Sequence, residues 1–149
     1  MNDALRDLYR EVILDHSRRP RNYGALDAAN RQSDGFNPLC GDRLRLFLQV
    51  EDGAVRQASF VGDGCAISTA SASLLTEAMR GRPEDEALQL VESFRNMVSG
   101  ENEVDETALG KLTVFAGVRD YPTRVKCATL AWHTLRAAIE QSGETVKTE

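Results

Sequence analysis

The sequence lacks any apolar run long enough to cross a bilayer, so no membrane role is expected. Its first residues, Met1, Asn2 and Asp3, do not begin a basic region leading into an apolar stretch, and so do not read as a secretory signal. It also lacks internal repeats and low-complexity tracts. Basic charge is not in excess: 18 Lys and Arg stand against 23 Asp and Glu, a net charge of −5. That balance argues against nucleic acid as the main partner, since a basic face is the usual footprint; the run Arg18-Arg19-Pro20-Arg21 is a local exception. Histidine is scarce, with only His16 and His133. There is no Cys-x-x-Cys pair, which excludes a zinc knuckle. The three cysteines, an odd number, cannot all pair within the chain. The cytoplasm is the expected location, where thiols stay reduced. There, three thiols point to metal binding or reactivity rather than to disulfides.

What is present suits one globular domain over residues 1–149, large enough to bury a core without covalent staples. Leu5, Leu8, Tyr9, Val12 and Ile13 form the stripe of a first helix, capped by Asn2 or Asp3 and ending before Pro20. Residues 17–29 read as an irregular connection, and a weak strand covers 31–36. Leu44, Leu46, Leu48 and Val50 alternate with Arg43, Arg45, Phe47 and Gln49, the period of a half-buried strand. Glu51-Asp52-Gly53-Ala54 is turn chemistry, and residues 55–61 return as a hairpin arm. An Ala/Ser-rich helix over 66–80 closes at Gly81, and Pro83 opens another helix at its first turn. Residues 99–106 are polar and 109–118 apolar. Pro122 breaks the chain, and a last helix runs over 125–141 with Leu130, Leu135, Ala138 and Ile139 inward. The tail after Gly143 is expected to fray. The fold class is α+β, a small antiparallel sheet of two or three strands packed against several helices.

Cys40 precedes the strong strand, Cys65 enters the Ala/Ser-rich helix, and Cys127 falls in the first turn of the last helix. Only the tertiary fold could bring them together. In extended backbone Cys40 and Asp42, at i and i+2, point to one face, and Gly41 between them leaves the backbone open. Helix N-termini at Cys65 and Cys127 favour thiolates, the form a metal requires. Three thiolates and a carboxylate carry −4, and a divalent metal leaves −2, which Arg124 and Lys126 beside Cys127 offset. Each residue also has a plainer reading. A lone buried cysteine is usually a small hydrophobe. Asp42 and Asp63 suit turns. His133 falls on a different helical face from Cys127, and His16 caps its helix or meets a partner. Trp132 and Tyr9 suit a core or an interface.

Five stretches resemble one family. They are Leu8-Tyr9-Arg10-Glu11-Val12-Ile13-Leu14-Asp15-His16; Pro20-Arg21-Asn22; Asn37-Pro38-Leu39-Cys40-Gly41-Asp42; Gly62-Asp63-Gly64-Cys65-Ala66-Ile67-Ser68; and Arg124-Val125-Lys126-Cys127-Ala128-Thr129-Leu130-Ala131-Trp132. In this order they resemble the IscU-like family of iron–sulfur assembly proteins. Scaffold members carry histidine before the third cysteine, where this chain has Lys126, and a shorter segment than its residues 81–104. Both departures resemble the SufU branch. That resemblance implies a zinc-dependent sulfurtransferase, an enzyme with Cys40, Asp42, Cys65 and Cys127 as zinc ligands and Cys40 as the sulfur acceptor. It implies a SufS-type cysteine desulfurase as donor and the Suf scaffold complex as eventual acceptor. Two alternatives stay open. One is an IscU-type scaffold, because the same donors suit an iron–sulfur cluster. The other is a non-catalytic binding module that zinc only holds together.

Overall fold

The computed structural model describes every residue except 1, 2, 101–103, 105, 144 and 149. In chain order it runs α1 (Asp3–Arg18), β1 (Arg31–Asn37), β2 (Asp42–Glu51), β3 (Ala54–Asp63), α2 (Ala66–Met79), β4 (Arg82–Pro83), α3 (Glu84–Ser99) and α4 (Glu106–Leu109). A 3₁₀ segment (Gly110–Asp120), α5 (Pro122–Glu140) and β5 (Val146–Lys147) complete it. The class is α+β, but the sheet has five strands in the order β4-β3-β2-β1-β5 rather than two or three. It is mixed, because β5 pairs parallel to β1 while the other neighbours are antiparallel. The two added strands have two residues each, too few for any alternation to show. Residues 146–148 of the tail expected to fray are therefore tied down: Val146 pairs with Gly35, Lys147 pairs with Phe36, and the Thr148 N–H donates to the Phe36 carbonyl at 3.1 Å.

The last helix starts at Pro122, not at residue 125. Proline at the first helical position has no N–H to lose and a preset φ, so it opens this helix instead of breaking the chain. Pro83, by contrast, lies just outside its helix, as the cap residue of α3. The capping role read for Asn2 lies outside the described residues, as do residues 101–103 and 105 of the polar stretch 99–106. Gly81 does close α2 with a left-handed φ of +77°.

The alternation in β2 sets the core. Leu44, Leu46, Leu48 and Val50 are all buried on one face of the sheet, where α5 packs on β1 and β2 and α2 packs on β3. Trp132 of α5 stacks on Phe94 of α3 with centroids 4.6 Å apart, and Phe115 meets Phe94 edge-on at 5.7 Å. The indole N–H donates to Ser71 Oγ at 3.1 Å, and that hydroxyl donates to the Ala128 carbonyl at 2.6 Å. The polar atoms of this α2–α5 contact are thus satisfied inside a dry interface. Gly35 is required where β1 runs against α5, because a Cβ there would lie 2.2 Å from Thr134 Oγ1. With helices fixed so closely on the sheet, three chain junctions meet at one end: the β1–β2 turn, the β3–α2 junction, and the start of α5.

Candidate metal centre

The β1–β2 hairpin closes on the pair Asn37 and Asp42, with residues 38–41 as its loop. Gly41, at φ +74°, takes the left-handed conformation the loop needs, and its N–H donates to the Asn37 carbonyl at 2.8 Å. Residues 40–42 are therefore not extended, as the i, i+2 reading assumed. The turn itself brings Cys40 over Asp42. Next to β2 on the sheet, β3 ends at Asp63 opposite Arg43, so the chain enters α2 beside the same turn.

Sulfur atoms of Cys40 and Cys127 and a carboxylate oxygen of Asp42 all lie within 4.8 Å of one another. The two sulfurs are 3.5 Å apart. Cys40 is exposed, while Cys127 and Asp42 are fully buried, so the group has a buried floor and an open lip. Asp42 Oδ1 accepts the Cys65 N–H at 2.9 Å. Its Oδ2 is buried and meets no N–H or O–H donor, a costly state for a carboxylate oxygen unless something positive faces it.

Cys65 stands apart from that group of three. It is the cap residue of α2, with φ −68° and ψ 169°, and its sulfur accepts the Ser68 N–H at 3.4 Å. Its charge still acts on Cys127 and is the largest influence on Arg124. Cys127 is the sixth residue of α5, past the first turn, because that helix starts at Pro122; its thiol reaches the Thr123 carbonyl at 3.6 Å. Burial pushes the Cys127 thiol far above the ordinary range, and hydrogen bonds to Cys40 and Asp42, then the negative charges of Cys65 and Asp42, push the same way. The Arg124 guanidinium, exposed beside these thiols, is held more firmly protonated by Cys65, by its bond to Cys127, and by Cys40. Lys126 instead lines a separate cavity along α5.

The plainer candidates resolve within the fold. Buried His16 bonds to Ser73 Oγ at 2.7 Å through Nδ1, neither capping α1 nor facing outward. His133 is half-buried on the face of α5 that carries Lys126. Two residues have roles that the sequence reading did not assign. Asn37 is fully buried; its Nδ2 donates to Cys127 Sγ at 3.7 Å and its Oδ1 accepts the Leu39 N–H at 3.2 Å. It thus ties the Cys40 turn to the Cys127 thiol, and an Asn preceding Pro at a strand end is the turn signal that could have found it. Gly64 leaves the space that Asp42 uses, because a Cβ there would lie 3.0 Å from Oδ1.

Soft thiols and one hard oxygen are donors that zinc accepts, and the unpartnered Oδ2 gives a cation something to neutralise, so these residues fit a metal. Fold and site together define an α+β domain that gathers thiols around a buried carboxylate at one open end. The chain belongs to the family described as the NifU-like N terminal domain, which it matches over residues 8–128. It is 41% identical over 138 residues to the iron–sulfur cluster assembly scaffold protein IscU of Streptococcus pyogenes, covering 93% of this chain and 86% of that one. It is equally, 41%, identical over 138 residues to the zinc-dependent sulfurtransferase SufU of Bacillus subtilis, covering 93% of each. Among solved structures, an iron–sulfur cluster assembly scaffold protein for the SUF system from Fervidobacterium islandicum superposes with a TM-score of 0.83. That protein is 36% identical, with 87% of this chain and 94% of that one covered. The chain is thus a member of the family that holds IscU scaffolds and SufU sulfurtransferases. Among the described residues, no helix is long and apolar enough to cross a membrane.

Proposed function

We propose that the protein is a zinc-dependent sulfurtransferase that accepts persulfide sulfur from a SufS-type cysteine desulfurase and hands it on to the Suf scaffold complex for iron–sulfur cluster assembly. The observation that carries this reading is the division between an exposed thiol, Cys40, and a buried thiol–carboxylate pair, Cys127 and Asp42. Only Cys40 sits on a turn open to a partner. Exposed Leu39 and Tyr121, at 63% and 64%, stand in the two segments that carry Cys40 and the start of α5 and give a partner an apolar lip.

Cys40, Asp42, Cys65 and Cys127 would hold the zinc, with Cys65 joining through rotation about its soft χ1 torsion. Zinc supplies the charge that keeps these thiols deprotonated and ready. The Cys40 thiolate attacks the outer sulfur of the donor's persulfide. One S–S bond forms on Cys40 while the donor's S–S bond breaks, and the electron pair leaves on the donor cysteine. The exchange needs no oxidant or reductant. Arg124 faces the thiols and offsets the negative charge gathered there. Of the two cations flanking Cys127, it takes the nearer supporting role, with Lys126 adding positive charge from the adjoining face.

A second reading, a cluster scaffold, draws on the equal likeness to an IscU scaffold and on the suitability of three thiols and a carboxylate for an iron–sulfur cluster. The deciding assay is cysteine turnover by a SufS-type desulfurase with catalytic amounts of the zinc-loaded protein and a reductant. Strong stimulation, lost on chelation of zinc or in Cys40→Ala, is expected. No stimulation, with a stable cluster formed on supplying iron and sulfide, would move the assignment to the scaffold. Metal removal that unfolds the domain, with no effect of Cys40→Ala on turnover, would leave only a zinc-stabilised binding module.

A further inference from the structure

On another face of α5, a cavity of about 520 Å³ opens between the helix, from Lys126 to Glu140, and β5. Its charge runs against that of the chain. Lys126, Arg136 and Lys147 line it against a single described acidic residue, Glu140, whereas the whole protein carries −5. Neither lysine has an ion-pair partner among the described residues. Arg136 pairs with Glu92, a carboxylate that Arg95 also meets. The half-buried ring of His133 feels this field. Burial, then Arg136 and Arg95, hold its pKa below the ordinary imidazole value, which keeps it neutral and able both to donate and to accept. At the far wall, Thr148 is buried with its hydroxyl unpartnered. Positive charge that outweighs the acidic lining among the described residues, beside an unused hydroxyl, is what a bound anion resolves.

We infer that this cavity is a binding site for a phosphate-bearing small molecule of about the size of a nucleoside diphosphate, held by Lys126, Arg136 and Lys147. Its volume lies within the range of small-molecule sites, about 300–1,000 Å³, and a lone phosphate would leave most of it empty. A guanidinium fork and two ammonium groups suit phosphate oxygens carrying more than one charge. The site adjoins the thiol end, because Lys126 of its wall precedes Cys127. The inference rests on these cations, the cavity and the Thr148 hydroxyl, and stands whichever function the thiols have.

The test is amide NMR of the full-length protein titrated with ADP, with pyrophosphate and, at matched ionic strength, with sodium chloride. ADP is expected to give saturable shifts at Arg136, Glu140 and Val146–Thr148 that chloride does not reproduce. Lys147→Gln, at an exposed position, should leave the unfolding midpoint unchanged and weaken ADP about tenfold, the loss of one charge-assisted bond. No saturable shift with ADP or pyrophosphate would overturn the inference. So would shifts confined to Cys40 and Cys127, or an affinity indifferent to Lys147→Gln. Saturation by an acidic peptide but not by ADP would overturn it in favour of a protein partner.

Discussion

Two stretches of one helix show how this fold separates chemistry from stability. The start of α5, with the β1–β2 turn it meets, holds an exposed thiol, a buried thiol and a buried carboxylate oxygen with no donor. Further along the same helix, Trp132 is 1% exposed, stacked on Phe94, and satisfied through Ser71. The first region leaves bonding capacity unspent and the second leaves none. A site that must bind and release needs the former, and it can keep that strained state only because the latter fixes both helices.

The sharpest break in the comparison comes from Cys40→Ala. If the outer region carries the chemistry alone, this change removes persulfide acceptance entirely, measured by trapping the protein-bound sulfur after exposure to a persulfidated desulfurase. Unfolding free energy of the metal-free protein should move by no more than about 0.5 kcal/mol, since the side chain is exposed. Normal persulfidation of Cys40→Ala would sink the assignment.

Trp132→Ala should do the reverse. Loss of the stacked indole opens a core cavity and leaves Ser71 Oγ without its donor, a cost of about 3–5 kcal/mol in urea unfolding. Under conditions where the variant is still folded, sulfur acceptance should stay within a few-fold of normal. A large loss of acceptance in the folded variant would show that the two regions are not separable.

Much of this division was legible in the residues, and the misses have physical causes. The β2 alternation reads directly because one face is buried and one is wet. The strands β4 and β5 do not, because two residues carry no period. Pro122 was ambiguous: the same ring that stops a helix also starts one, and that choice displaced Cys127 from the first turn to the second. The gathering of Cys40, Asp42 and Cys127 came from motif likeness and not from local geometry, which wrongly assumed extended backbone at Gly41. Asn37 reads locally only as a turn residue, through its bond to Leu39; its second partner, Cys127, comes near only in the folded chain. Arg124 and Lys126 read alike as flanking cations, yet helical rotation sends them to different faces.

Asp42→Asn tests whether the unspent bonding capacity is what the site needs. Asparagine keeps an oxygen for the Cys65 N–H and replaces Oδ2 with a donor facing the thiols. Zinc affinity, measured by competition with a chromophoric chelator, should fall at least about a hundredfold, the upper end of what loss of an outer partner costs. Without metal, the variant should unfold at higher urea, gaining roughly 1–2 kcal/mol from removal of an unpaired buried charge. A metal-free variant less stable than its parent would mean that Oδ2 is satisfied in the apo protein.

The smallest effect expected is one of pH, and it belongs to the packed region. Burial, then the charge of Arg21, lowers the His16 imidazole below its ordinary value of about 6.5, and the opposing pull of Glu77 and Asp15 is weaker. His133 is shifted the same way, by burial, Arg136 and Arg95. Just below the ordinary value, the unfolded chain therefore holds more protons at these sites than the folded one. Stability from them is complete above about pH 6.5 and drains away as pH falls through the window down to the folded pKa values. Urea unfolding midpoints should accordingly decline from about pH 7.5 to about pH 5.5. His16→Asn keeps an acceptor for Ser73 Oγ, and a flatter decline in it assigns the slope to the α1–α2 contact and leaves the thiol end out of the acid response. An unchanged slope in His16→Asn, with the decline lost in a thiol-end variant such as Asp42→Asn, would place the acid sensitivity at the metal site and erase that distinction.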